Sequence, residues 1–371
     1  MTVDSIRLNI RLGASVPVSA PSRVIDSLTS LEVRNTDNGR DGFQMTFSLG
    51  RDSLADYDLL RSGILDPPSR VIIGVVIGVR AEVLVDGIIT NHQVSPGTKP
   101  GEGNLVVTGE DISIKLDLDE RKESYANQSD SDIVQTILRR YTGDGLLPEV
   151  TATKVRPQKN QRVPMQLGTD LSYIQALAQQ NGFVFYVEPT PAPGVTKAHW
   201  GLQNFESPTQ PALTINMGPS TNVESMSFTF DALGPATPKI SILDPTTRLT
   251  ITIPAPNTGS RPPLSLRRAE SLRTTLPTDT ANLDSSQAST RASAAVTSSA
   301  DAVTGSGQLD AVRYGGVLRA RQLVGVRGAG NSYDGSYYVK QVTHKIKRGE
   351  YKQTFSLSRE GRGALKPVVL P

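Results

Sequence analysis

Near the C-terminus the chain alternates apolar and polar residues along Tyr337-Tyr-Val-Lys-Gln-Val-Thr-His344 and again along Tyr351-Lys-Gln-Thr-Phe-Ser-Leu-Ser-Arg359. A period of two puts one face of each stretch in a core and the other toward solvent or a partner. Asp334-Gly335 and Arg348-Gly349 punctuate these runs, since glycine accepts the positive φ of tight hairpins. The chain is therefore expected to close as an antiparallel sheet.

The rest of the chain limits what that sheet belongs to. Its 371 residues suffice for two to four domains with their own cores, and only 5% are aromatic, against 32 Gly and 25 Pro. This is the profile of a turn-rich β protein. The formal charge of +3 is spread among interspersed Lys, Arg, Asp and Glu, so no nucleic-acid footprint is expected. The absence of cysteine removes disulfide frameworks and thiolate metal sites. The N-terminus carries no secretory signal pattern, and the longest apolar run, Val71 to Val79, is too short for a membrane-spanning helix. Synthesis in the cytoplasm without direct membrane insertion is expected.

A second β region precedes residue 115. Leu31-Glu-Val-Arg34 and Phe43 to Leu49 alternate around a turn, Val71 to Val79 and Ala81 to Ile89 form another pair, and Asn104 to Thr108 adds a strand. The two ends echo one another. Asp86 to Val94 sits against Asp334 to Val342; LVVTGED follows the first and TFSLSRE the second; Leu28 to Val33 resembles Val223 to Phe228. Any two hairpins share alternation, but the matching order of three features favours two related barrels.

Between them the period changes. Ser129 is a helix start with Ile133, Ile137, Leu138 and Tyr141 on one face, and Gly143 is a stop. A second helix begins near Thr169 or Asp170 and ends at Asn181-Gly182, before a buried strand from Phe183 to Val187. Residues 254–283 read as irregular. The Ala-, Ser- and Thr-rich stretch from Ala281 to Gly307 fits either a helix with a small-residue face or a flexible linker.

No residue set reads as catalytic, cofactor-binding or metal-ligating. His92, His199 and His344 lie far apart and are expected to be exposed or core-edge strand residues. Asp117, Asp119, Glu120 and Glu123 cluster and would be the candidates for a cell-wall hydrolase, the alternative function. They interleave with Lys115, Arg121 and Lys122, as a solvated segment does. Gly325 to Gly330 is a turn between strands rather than a phosphate loop. A carbohydrate-binding surface would need grouped exposed aromatics, and Trp200 is the only tryptophan.

The ordered combination of Gly328-Ala-Gly330, Tyr333-Asp-Gly-Ser-Tyr-Tyr-Val339, Val342-Thr-His344, Gly349-Glu-Tyr351 and Thr354 to Arg359 resembles the late control protein D family. That family comprises baseplate hubs of contractile phage tails, and VgrG proteins of type VI secretion carry the same module. The helix, Asn-Gly and aromatic strand around Leu171 to Val187 read like its middle domain. The resemblance implies a mainly β fold with a smaller α/β part: two related antiparallel β-barrel tube domains flanking a middle α/β domain. The expected division is 1–115 for the first barrel, 116–200 plus 236–304 for the middle domain and 201–235 plus 305–365 for the second barrel, with 366–371 a tail. The middle domain would hold helices near 130–142, 169–181 and 285–303.

It further implies a homotrimeric, pseudo-sixfold structural ring, without enzymatic activity, joining a hexameric tail tube to a trimeric spike within a baseplate. The spike would be a separate protein, because no needle follows the second barrel. Subunit or partner contacts are expected around Asp86, Gly87, His92, Asp334, Gly335, Tyr337, Tyr338, His344, Tyr351 and Phe355.

Overall fold

The computed structural model describes residues 6–14, 17–50, 57–98, 102–159, 163–243, 249–256, 261–277 and 283–365. The expected tail, 366–371, lies outside them. The fold is mainly β with large antiparallel sheets.

The N-terminal strands are β1 (Arg7–Gly13), β2 (Leu28–Thr36), β3 (Gly42–Leu49), β4 (Arg70–Ile77), β5 (Arg80–Ser95) and β6 (Gly103–Asp111). Strict alternation buries Leu31, Val33, Phe43, Met45, Phe47, Leu105 and Val107 in one core, leaving mostly polar residues, with Val106 the exception, on the opposite face. Next come β7 (Glu120–Ser124), α1 (Asp130–Arg139), β8 (Leu146–Val150), β9 (Met165–Thr169), α2 (Asp170–Asn181), β10 (Val184–Pro189) and β11 (Thr196–Gly201). The chain closes through β12 (Gln210–Thr214), β13 (Val223–Phe230), α3 (Ser285–Ser298), β14 (Val303–Asp310), β15 (Leu323–Arg327), β16 (Gly335–Lys347) and β17 (Glu350–Arg359).

The helices begin where side chains can cap free backbone amides. Ser129 and Asp132 form a capping box on α1, Thr169 caps α2 through the Ser172 amide, and Asp284 with Gln287 forms a second box on α3. Ser285–Ser298 is thus a helix, shorter than the expected 285–303, with Ala288 and Ala292 packed against Ile240, Ile242 and Ile253. A larger core holds α1 and α2 against β8, β10 and β11, with Trp200 fully buried. In that small sheet β11 runs antiparallel to β10 and parallel to β8.

Gly182 ends α2 at φ +67, and a Cβ there would lie 2.7 Å from Ala294 Cα of α3. Gly182→Ala should therefore cost about 1–3 kcal/mol, visible as a lower urea midpoint for the whole chain.

The strand order shows a repeat. One sheet runs β13-β14-β17-β16-β2-β3-β6-β5-β4-β1, with β15 branching from β16. Its first half, β2-β3-β6-β5-β4, has the same neighbours as β13-β14-β17-β16-β15 in the second. Even the irregularities coincide. The β2–β3 pairing slips between Leu28 and Ser30, and the β13–β14 pairing between Val223 and Ser225. The β5–β6 pairing slips between Ile89 and Asn91, and the β16–β17 pairing between Val339 and Gln341. The equivalence of Leu28 to Val33 with Val223 to Phe228 holds residue for residue. The other one shifts by two: matched at the bulges, Gly87 corresponds to Tyr337 and Ile88 to Tyr338, not Asp86-Gly87 to Asp334-Gly335. A two-residue slip leaves every side chain on its face, so alternation alone could not reveal it.

Two further features were not read from the sequence, and a third corrects its irregular reading of 254–283. The halves are not separate sheets, because β16 pairs with β2 from Gln341↔Thr36 to Lys347↔Ser30. β12 runs parallel to β15. Within 254–283, Ser265–Arg268 pairs with Gly361–Ala364 and Arg273–Thr275 with Ala236–Pro238. The first of these ribbons follows Leu264, which is buried against Leu323 and Tyr338.

Candidate assembly surface and the polar knot beneath it

Eight of the ten residues expected at a contact surface are buried within the chain itself. Tyr337 and Phe355 pack in the second core, Tyr351 in the first, and Tyr338 against Leu264, Leu323 and Phe205. His344 is fully buried. Both faces of β16 are covered along Tyr337 to Val339, so alternation there does not mark an outer face. Asp86 is 2% exposed and takes two hydrogen bonds from Arg70, at 2.8 and 2.9 Å. Gly87 and Gly335 are buried. Asp334 is half-buried and accepts from the Ala329 amide, and His92 is half-buried 3.5 Å from Asp66.

The junction of the halves is a polar knot that the sequence did not reveal. Arg321, 3% exposed and at φ +68, lies at its centre. Its guanidinium donates to Asp41 Oδ1 (2.6 Å), Thr36 O (2.8 Å) and Val187 O (2.9 Å), and stacks 4.2 Å from the Tyr186 ring. One side chain thereby ties β15's approach to β2 and β10. Asp41 also accepts from Asn35 Nδ2 and the Thr36 amide. Asn35 Oδ1 faces His344 Nε2 at 2.9 Å, and His344 Nδ1 faces the Tyr351 hydroxyl at 2.8 Å. This chain of bonds fits a neutral imidazole protonated at Nε2, with Tyr351 donating to Nδ1. Burial, with Arg319 adding to it, pushes His344 down to about 3.

A second carboxylate joins the knot. Asp111 accepts from the backbone amides of Asp41 and Ser113, and Asp111's own amide donates to Asp41 O. Two buried carboxylates thus lie side by side, and of the two the Arg321 guanidinium is bonded to Asp41 alone. Desolvation, then the Asp41 charge, lifts Asp111 to about 7 despite its amide donors; Asp41 is raised by burial as well.

On the other side of the sheet, away from both cores, the eight strands from β13 to β5 present a solvent-facing surface. Register places Ser225, Ser227 and Thr229 of β13 beside Thr304, Ser306 and Gln308 of β14, then Thr354 and Ser356 of β17. Gln341 and Lys345 of β16, with the buried Thr343 between them, continue into Thr36, Arg34 and Glu32 of β2. Gln44 and Thr46 of β3, Thr108, Val106 and Asn104 of β6, and Asn91, Gln93 and Ser95 of β5 complete it, Val106 being its apolar member. Hydroxyls and amides dominate, and the Lys352 charge is neutralised locally. Lys352 lies 3.2 Å from Glu224 and 3.3 Å from Glu350, and Arg34 donates to Gln341.

Of the carboxylates of the hydrolase alternative, Asp119 and Glu123 both lie 3.9 Å from the Arg121 guanidinium, which spans them as an ion-pair partner. Asp117 accepts from Thr169 and pairs with Arg40, Glu123 pairs with Arg140, and Asp119 is 77% exposed. Asp170, which sequence reading passed over, is the carboxylate buried in this region; Arg121, Arg140, Tyr141 and Gln166 surround it. Among the described residues no cluster of His, Asp and Glu could hold a metal ion, and no helix is long and apolar enough to cross a membrane.

A family model described as the Alg8 N-terminal domain matches residues 26–200, less than half of the chain. No curated protein matches it. Solved structures share its fold over nearly the full length. A tail protein from Neisseria meningitidis MC58 is 13% identical, with a TM-score of 0.63, covering 96% of this chain and 98% of its own. The 43 kDa tail protein of prophage MuSo2 from Shewanella oneidensis is 12% identical, at 0.62, with 95% and 99% covered. An E. coli component of the type VI secretion system, described as structurally similar to T4 bacteriophage tail proteins gp27 and gp5, is 14% identical, at 0.57, with 98% and 80% covered. The fold is thus that of phage tail and type VI secretion proteins.

Proposed function

We propose that this chain is a structural baseplate hub of a contractile tail or injection system. Three copies form a ring that joins a hexameric tail tube on one side to a trimeric spike on the other. The observation that carries this reading is the repeated five-strand unit. A chain containing one unit twice gives six equivalent units from three copies, while its middle element, present once, keeps threefold symmetry. Such a subunit can meet a sixfold partner on one side and a threefold one on the other.

The polar surface opposite the cores supports a solvent-filled lumen. Hydroxyls, amides and locally paired charges give a passing polymer little to adhere to. The shared fold with tail and type VI secretion proteins supports the setting.

Native mass spectrometry of the full chain, captured from its producer cells, tests the reading. Three copies with tube or spike subunits attached are expected. A monomer with no structural partner would overturn it and return attention to Asp117, Asp119, Glu120 and Glu123 with a cell-wall degradation assay.

A further inference from the structure

Two of the sheet's incomplete strands, β5 and β13, have completed equivalents in the other half, and the repeat says what each lacks. β5 is covered by β4 only from Arg80 to Ile88; among the described residues its next stretch, Asn91 to Ser95, pairs with β6 on one side and nothing on the other. Its equivalent, β16, is likewise covered by β15 along its first part, Gly335 to Tyr338. The later part of β16, from Gln341, is completed by β2 of the other half. At the far end of the sheet, β13, the equivalent of β2, pairs only with β14. The chain thus contains the junction β16–β2 once, and holds both parts of a second such junction, β5 and β13, which do not pair with each other within one copy.

We infer that β5 of one copy pairs antiparallel with β13 of the next, repeating the internal β16–β2 junction between chains. This rests on the ring reading above and specifies its interface. Matching the bulges transfers the register. Gln341↔Thr36, Thr343↔Arg34 and Lys345↔Glu32 become Asn91↔Asp231, Gln93↔Thr229 and Ser95↔Ser227 across the interface.

The side chains suit that pairing. On the core side, His92 and Val94 are half-buried, as are Phe230 and Phe228, which they would face. Pairing would complete the cover of both. On the other side Gln93 meets Thr229 and Ser95 meets Ser227, with no like charges opposed.

The edges also lack protection. Neither Asn91 to Ser95 nor β13 contains lysine or proline, the residues that usually blunt an open edge. The opposite margin of the sheet differs: β1 carries Arg7 and Arg11 and is partly capped by Val18–Ser19. The junction is head-to-tail, so it closes into a ring when repeated through the right rotation.

The absence of cysteine makes the test specific. Full-length chains carrying Gln93→Cys with Thr229→Cys, or Ser95→Cys with Ser227→Cys, are purified reduced, weighed by native mass spectrometry, then joined with a short thiol crosslinker. Opposed Cβ atoms in such a ladder lie roughly 4.5–5.5 Å apart. Covalent dimers and closed trimers are expected from both pairs. Neither the single-cysteine chains nor the out-of-register pair Gln93→Cys with Ser225→Cys should give closed trimers. Trimers that form but fail to link through either pair would overturn this junction and leave the ring reading standing. Chains that stay monomeric would overturn both.

Discussion

Arg321→Ala is expected to destabilise the chain by about 3–5 kcal/mol, the usual cost of removing one partner from a buried ion pair. The truncation leaves Asp41, which is 1% exposed, without its cation. It also strands the carbonyls of Thr36 and Val187 and uncovers the Tyr186 ring. Arg321→Lys should recover little, because an ammonium is a compact charge that cannot serve three acceptors in the plane of a guanidinium. Arg321→Met with Asp41→Asn should be less harmful than Arg321→Ala, since no uncompensated charge then remains buried. Urea unfolding followed by Trp200 fluorescence reads this directly. Trp200 is the sole tryptophan and is buried in the middle core, which Arg321 reaches through Val187. If Arg321→Ala moved the midpoint no further than a surface substitution does, the knot would not be what fastens the halves.

The second large effect is one that the native protein conceals. Asp111, raised from 3.8 to about 7, adds stability that is complete below about pH 4 and lost as pH climbs through 7. His344, lowered from 6.5 to about 3, does the reverse: its contribution is complete above about pH 6.5 and lost as pH falls toward 3. Each amounts to something on the order of 4 kcal/mol, at 1.36 kcal/mol per pKa unit. Because the two act in opposite directions, the native chain should show a shallower profile between pH 4.5 and 7.5 than a variant that lacks either one.

His344→Gln keeps one donor and one acceptor within the knot but cannot titrate. Its stability should therefore fall steeply as pH rises from 4.5 to 7.5. Asp111→Asn should show the opposite slope, over a lower baseline because its amide nitrogen cannot accept a backbone N–H. Urea midpoints at those two pH values decide the matter. Parallel profiles for the two variants would mean that one of these groups titrates near its ordinary value.

Much of the fold was legible in local pattern. Helix caps at Ser129 and Thr169, the Asn181-Gly182 stop and the strands around Phe43 to Leu49 all follow from residues within a few positions of one another. The equivalence of Leu28 to Val33 with Val223 to Phe228 was readable because a core strand repeats its burial pattern. The equivalence of Asp86 with Asp334 was not. Two Asp-Gly pairs look alike in sequence, but the register is set by bulges whose positions depend on the facing strand.

The candidate surface was the least legible part, and Tyr338 shows why. Period two assigns Tyr337 and Tyr338 to opposite faces, and one of those faces would ordinarily be solvent. Here the excursion through Phe205 and Leu264 folds back over Tyr338 and buries it. Arg321 carried no signal either, since an arginine followed by an apolar strand is more often exposed than buried.

Strand periodicity, caps and turns were therefore determined by the sequence alone, because they depend on sterics and hydrogen bonds within a few residues. Which strand edges are covered, which remain open at Asn91 to Ser95 and along Val223 to Phe230, and which charges are sealed around Arg321 were decided only in the tertiary structure. Those outcomes depend on residues up to hundreds of positions apart being brought into register, and no local pattern records what a strand's neighbour will be.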